Sequence, residues 1–157
     1  MVRHLSLVRF PSVKEVESPS KIRAVLADDH PFVRRTLRAL LDAENGIEVV
    51  AEADDLTAAT HQVIEHEPDV LAMDLGMPDG SALQAIGRLH GRMPATRIVV
   101  VTMQDSAVFA RAALAHGALG FVLKERADTE LADAVRAASC GQPYVSGHLG
   151  TRMTHAV

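Results

Sequence analysis

Asp28, Asp29, Asp74, Thr102 and Lys124 all stand directly after short apolar runs. Ile22 to Ala27 precedes the two acids, Val70 to Met73 precedes Asp74, Ile98 to Val101 precedes Thr102, and Phe121 to Leu123 precedes Lys124. If the runs are parallel strands, their carboxyl ends share one edge of one sheet, and residues far apart in the chain meet in a single crevice. Three carboxylates, a hydroxyl and an ammonium would gather there. Crowded carboxylates repel unless a cation joins them, and the hard divalent ion suited to a few oxygens plus a phosphate is Mg²⁺. The pattern predicts metal-assisted phosphoryl chemistry.

Taken singly, these residues have plainer readings. Adjacent acids before His30-Pro31 suit a helix cap, Lys124 with Asp74 suits a structural ion pair, and Thr102 after valines is ordinary strand composition. Asp74 is harder to dismiss, because a carboxylate closing a strand buried on both faces costs several kcal/mol unless a cation or strong donors compensate. None of the plain readings accounts for all the residues falling at the same end of successive strands.

The elements that must position them follow from hydrophobic spacing. Val33, Leu37, Leu40 and Leu41 mark a first helix, closed by Asn45-Gly46, and Ile47 to Ala53 reads as a second strand. Asp55 caps a second helix that Pro68 terminates; Ala82, Ala85, Ile86 and Leu89 line a third. Ser106 caps a fourth helix, and Leu131, Ala134, Val135 and Ala138 form the inner stripe of a fifth that ends by Gly141. Strand and helix alternate five times. The expected class is α/β: a (βα)₅ doubly wound parallel sheet with right-handed crossovers and helices on both faces.

At 157 residues there is room for one domain with a substantial core. Aromatic residues make up 3% of the chain and Trp is absent, so that core must be aliphatic. A net charge of −4 argues against unassisted binding to nucleic acid or an anionic membrane, both of which need a basic field. The single cysteine, Cys140, excludes an internal disulfide and fits a reducing cytoplasm. No apolar run is long enough to span a membrane. The eight histidines are scattered, without the i, i+4 spacing and third ligand of a zinc site. Gly76 to Gly80 is too short, and lacks the lysine, for a nucleotide-cradling loop.

The runs Leu26-Ala27-Asp28-Asp29-His30-Pro31, Met73-Asp74-Leu75-Gly76-Met77-Pro78, Val101-Thr102-Met103 and Gly117-Ala118-Leu119-Gly120-Phe121-Val122-Leu123-Lys124-Glu125 resemble the receiver domain of bacterial two-component response regulators. The first and last are similar to the NarL/FixJ (LuxR-type) subgroup in particular. The resemblance covers about residues 22 to 146. It implies a flavodoxin-like fold with strand order 2-1-3-4-5. It also implies that Asp74 is the phosphoacceptor, receiving phosphate from the phosphohistidine of a sensor histidine kinase, as carboxylate nucleophiles do in forming acyl phosphates. By the same resemblance Asp28, Asp29, Asp74 and the Gly76 backbone carbonyl hold Mg²⁺, and Thr102 and Lys124 contact the phosphoryl oxygens. Phe121 takes the family's aromatic switch position, although plain core packing explains it equally well. Met103 is larger than the residue many receivers carry there, which predicts restricted access of water to Asp74. The family is a signalling family, and an enzyme of similar topology would want a general acid two residues past the nucleophile, where Gly76 cannot serve.

Three segments are expected. Residues 1–21, broken by Pro11, Pro19 and several serines, read as a flexible extension with a possible short strand at 4 to 10. Residues 22–141 are the receiver domain, and 142–157 the start of a linker or tail. Regulators of this subgroup normally continue into a helix-turn-helix domain that binds DNA, and often dimerise on phosphorylation. The 11 residues after Ser146 are too few for that domain, so DNA is expected as a partner only through a segment missing here. The rival expectation is a stand-alone or degenerate receiver that works by protein contact without phosphorylation.

Overall fold

The uninterrupted apolar runs become the middle of a parallel sheet because only there are both faces of a strand covered. The computed structural model describes residues 20–155. β1 (Ile22–Ala27), β3 (Val70–Met73), β4 (Arg97–Thr102) and β5 (Gly120–Leu123) lie side by side, and all four residues of β3 and of β5 are buried. β2 (Ile47–Ala53) covers the outer edge of β1.

The order is β2-β1-β3-β4-β5-β6, every pair parallel. This corrects the five-stranded expectation: a sixth strand, β6 (Tyr144–Val145), extends the sheet beyond β5. Two residues are too short to carry a period in the sequence. What holds them is backbone pairing, with Tyr144 N donating to Leu119 O at 3.2 Å and Ser146 N to Phe121 O at 2.9 Å. The stretch expected to lead out of the domain thus adds to it. It continues as α6 (Gly147–His155), which packs on α4 (Ala107–His116) and sinks Leu149 into the core.

The sheet separates two apolar layers. One face carries Leu26, Ala72, Val99 and Val122 against α1 (Pro31–Asp42) and α5 (Ala127–Ser139). The other carries Val25, Met73, Val100 and Phe121 against α2 (Leu56–His66), α3 (Ala82–Arg92), α4 and α6. Helix ends follow local chemistry. Asp55 accepts from Ala58 N at 2.6 Å to start α2, and Ser106 accepts from Phe109 N at 3.3 Å to start α4. Asp79, on the loop before α3, adds its carboxylate to the N-terminus of α2, accepting from Leu56 N and Thr57 N at 2.7 and 2.9 Å. Gly46, at φ +86°, turns the chain into β2.

One irregularity matters for the site. Ala24 pairs with Val49 but Val25 with Ala51, so Val50 has no partner and β2 carries a bulge. The extension expected at 1–21, with its short strand at 4 to 10, lies outside the described residues except for Ser20 and Lys21.

Candidate functional site

The parallel register brings the polar residues to one edge in short steps: Ala27 pairs with Met73, so Asp28 and Asp74 are level, Met73 pairs with Val100, so Thr102 lies one residue beyond Asp74, and Thr102 pairs with Leu123, so Lys124 lies one beyond Thr102. Backbone bonds carry the alignment past the strand ends. Asp28 N donates to Ala53 O and Asp74 N to Ala27 O, both at 3.0 Å. The result is a cleft of about 380 Å³ bordered by His30, Asp74, Gly76, Thr102, Met103 and Lys124.

Lys124 Nζ stands 2.7 Å from Asp28 Oδ2 and 3.0 Å from Asp74 Oδ2, and all three side chains are at least nine-tenths buried. Burial by itself pulls the lysine pKa down. Hydrogen bonds to Asp28 and Asp74, with the charge of both carboxylates, outweigh it and hold the ammonium above its ordinary value. Lys124 is therefore a fixed cation at neutral pH. It does not balance the site: three carboxylates against one ammonium leave two negative charges.

Asp28 Oδ2 and Asp29 Oδ1 are buried, the first meeting Lys124 Nζ at 2.7 Å and the second His30 Nδ1 at 2.9 Å. Ligating atoms of Asp28, Asp29, His30 and Asp74 lie within 4.8 Å of one another. A divalent cation fits this donor set: it matches the surplus charge, and the carboxylate oxygens keep lone pairs for it beside their contacts with Lys124 and His30. Gly76 leaves room beside the acids, since a Cβ there would stand 3.5 Å from Asp74 Oδ2.

Thr102 is 1% exposed, and its hydroxyl accepts from Gln104 N at 3.2 Å, closing the first turn of the β4–α4 loop. Met103 sits on the rim, 77% exposed. Phe121 is apart from this group, fully buried in the layer that holds Ala110, Ala113 and Leu149. The structure thus gathers Asp28, Asp29, Asp74, Gly76, Thr102 and Lys124 and places Phe121 in the core. Sequence reasoning missed His30 as a neighbour of the acids. It also missed Arg34, whose Nη1 donates to the Asp28 carbonyl at 2.6 Å. His30 had a signal, adjacency to Asp29; Arg34 had none.

A model of the response regulator receiver domain matches residues 24–136. The chain belongs to the response regulator receiver family. The receiver is 39% identical over 135 residues to the oxygen regulatory protein NreC of Staphylococcus haemolyticus, covering 85% of this chain and 62% of that protein. The chain therefore spans about three-fifths of the length of such relatives. Among solved structures, a LuxR-family two-component response regulator from Aurantimonas sp. SI85-9A1 superposes with a TM-score of 0.82 at 34% identity, covering 86% of this chain and 96% of that one. The signal receiver domain of the putative response regulator NarL from Mycobacterium tuberculosis gives 0.75 at 34%, covering 79% and 100%. The receiver is of the NarL/FixJ type. No described helix is long and apolar enough to cross a membrane.

Proposed function

We propose that Asp74 is the phosphoacceptor and that the phosphoryl donor is the phosphohistidine of a sensor histidine kinase. A carboxylate oxygen of Asp74 attacks phosphorus, the new O–P bond forms as the P–N bond breaks, and the histidine nitrogen leaves with its electron pair. The observation that carries this reading is the contact between Lys124 Nζ and Asp74 Oδ2 at the floor of an open cleft. The ammonium stands where negative charge accumulates during the transfer.

Asp28, Asp29, Asp74 and the Gly76 carbonyl would hold Mg²⁺, which when bound offsets the surplus negative charge of the acids and of the phosphoryl oxygens. Thr102 donates its hydroxyl hydrogen to a phosphoryl oxygen, and the shift of the side chain toward that oxygen draws it from Gln104 N, whose bond it accepts. That movement loosens the first turn of the β4–α4 loop and is the first step of the signal. Phe121, already packed inward, then follows Thr102. Met103 at the rim slows the approach of water to the acyl phosphate.

The family and the length of its relatives support a wider role. The receiver controls a helix-turn-helix output domain through which the full regulator binds DNA in the cytoplasm, with dimerisation on phosphorylation. Beryllofluoride with Mg²⁺, a stand-in for a phosphoryl group on an aspartate, tests the core of this. Calorimetry is expected to show stoichiometric binding to the parent protein and none to Asp74→Asn. Equal binding by both, or none by either, would favour a receiver that works by contact without phosphorylation.

A further inference from the structure

The carbonyl oxygen of Asp28 accepts the Arg34 Nη1 bond at 2.6 Å, and the same guanidinium gives Nε to Glu52 Oε1 at 3.2 Å. Glu52 Oε2 in turn accepts from Arg38 Nη1 at 2.6 Å. Arg34 and Glu52 are mostly buried, with 20% and 29% of their side chains exposed. Glu52 reaches α1 only because of the bulge at Val50. In an unbroken pleat Glu52 would share a face with Glu48 and Val50, opposite the one that carries Ile47 and Val49 against α1. The slip reverses this, setting Glu52 across from Leu26 on the α1 side and turning Ala53 to the other layer. Bulges beside functional sites re-aim side chains in this way.

The loop after β1 must keep two like-charged carboxylates side by side while its backbone turns into α1. Asp28 N is fixed by Ala53 O, and Asp28 Oδ1 accepts from His30 N at 2.9 Å. The Asp28 carbonyl is a direct handle on the peptide plane that joins Asp28 to Asp29. Arg34 takes it. A guanidinium engaged at both Nε and Nη is fixed in orientation, as an ammonium is not.

Resting on the reading of Asp28 and Asp29 as Mg²⁺ ligands, we propose that Arg34 is a positioning residue for that site: oriented by Glu52, it sets the peptide plane between the two acids. Charge alone points the other way. A guanidinium this close repels a dication, so removing it would tighten Mg²⁺ binding, whereas loss of positioning weakens it. The sign of the change separates the two.

The test titrates the full chain with MgCl₂ by isothermal calorimetry and records a thermal melt for each protein. Arg34→Met is expected to weaken Mg²⁺ binding about tenfold while melting cooperatively. Arg34→Lys, which keeps the charge and the stem, is expected to weaken it by less. A dissociation constant unchanged or lowered in either cooperatively melting variant overturns the proposal. So does loss of cooperative melting in both, which would make Arg34 a residue of the fold alone. Asp29→Asn is the control. A parent chain that does not bind Mg²⁺, or an Asp29→Asn variant that binds as tightly as the parent, defeats the metal reading itself; normal parental binding with unaffected Arg34 variants defeats only the positioning role.

Discussion

Two clusters of acids and bases lie near opposite ends of the β4–α4 loop, and their environments give them different work. At the sheet edge Lys124, Asp28 and Asp74 are nearly sealed from water and carry more negative than positive charge. Three residues beyond Thr102, Asp105 meets Arg152 Nη1 at 2.6 Å and His148 Nε2 at 3.4 Å, all with more than two-fifths of their side chains exposed. Water and salt screen the second cluster, so its ion pairs contribute little to stability and act to locate α6. The first cluster has no such solvent. Its charges must be balanced by other charges, a need that supports the cation proposed for it and, with that cation, the phosphoryl group.

Breaking the buried cluster has the largest expected effect. Lys124→Met leaves Asp28 and Asp74 without their shared cation and is expected to cost about 3 kcal/mol in urea denaturation. A loss under ~1 kcal/mol would mean that water reaches the acids and screens them as it screens the exposed cluster. The lysine contribution also has a pH signature. Its folded pKa is raised, so the stabilisation is complete below the ordinary lysine value and disappears as pH climbs through the higher folded one.

The seat of α6 tests the other side. Leu149 is fully buried in the layer beneath α4, and Leu149→Ala is expected to cost about 2–3 kcal/mol, with loss of amide protection concentrated in α6. If Arg152→Met destabilised the protein more than Leu149→Ala, the exposed ion pairs and not apolar burial would hold the helix.

The smallest effect is that of Asp105 itself. Its carboxyl is held below the ordinary range, first by the hydrogen bond from Arg152; burial opposes this, and the hydrogen bond from His148 adds to the lowering. A lowered folded pKa gives a contribution present above the ordinary carboxylate value and lost as pH falls below about 4. Amide protection in α6, corrected for intrinsic exchange, is expected to step down there in the parent and to show no such step in Asp105→Asn. An identical step in both would assign it to other carboxylates.

Much of the site was legible because its residues end strands whose sequences allow one reading. Val70 to Met73 and Phe121 to Leu123 are too short for helices and too apolar for anything but a covered strand, so Asp74 and Lys124 were fixed at one edge. β6 was not legible, since a two-residue strand has no period and its partner is set by tertiary pairing. Nor was the bulge in β2. Ile47, Val49, Val50, Ala51 and Ala53 are apolar in either phase, and only Leu26 opposite Glu52 shows which phase holds. The Arg34–Glu52 pair depends on that slip, so the residues that hold the Asp28 carbonyl were hidden with it.

The most direct test of the central claim is mass spectrometry of the protein after incubation with Mg²⁺ and either a phosphorylated histidine kinase domain or a small phosphoramidate donor. One added phosphoryl group, mapped to Asp74 and absent from Asp74→Asn and from samples treated with a chelator, is the predicted result. A phosphoryl group on another residue, or none with either donor, would contradict it.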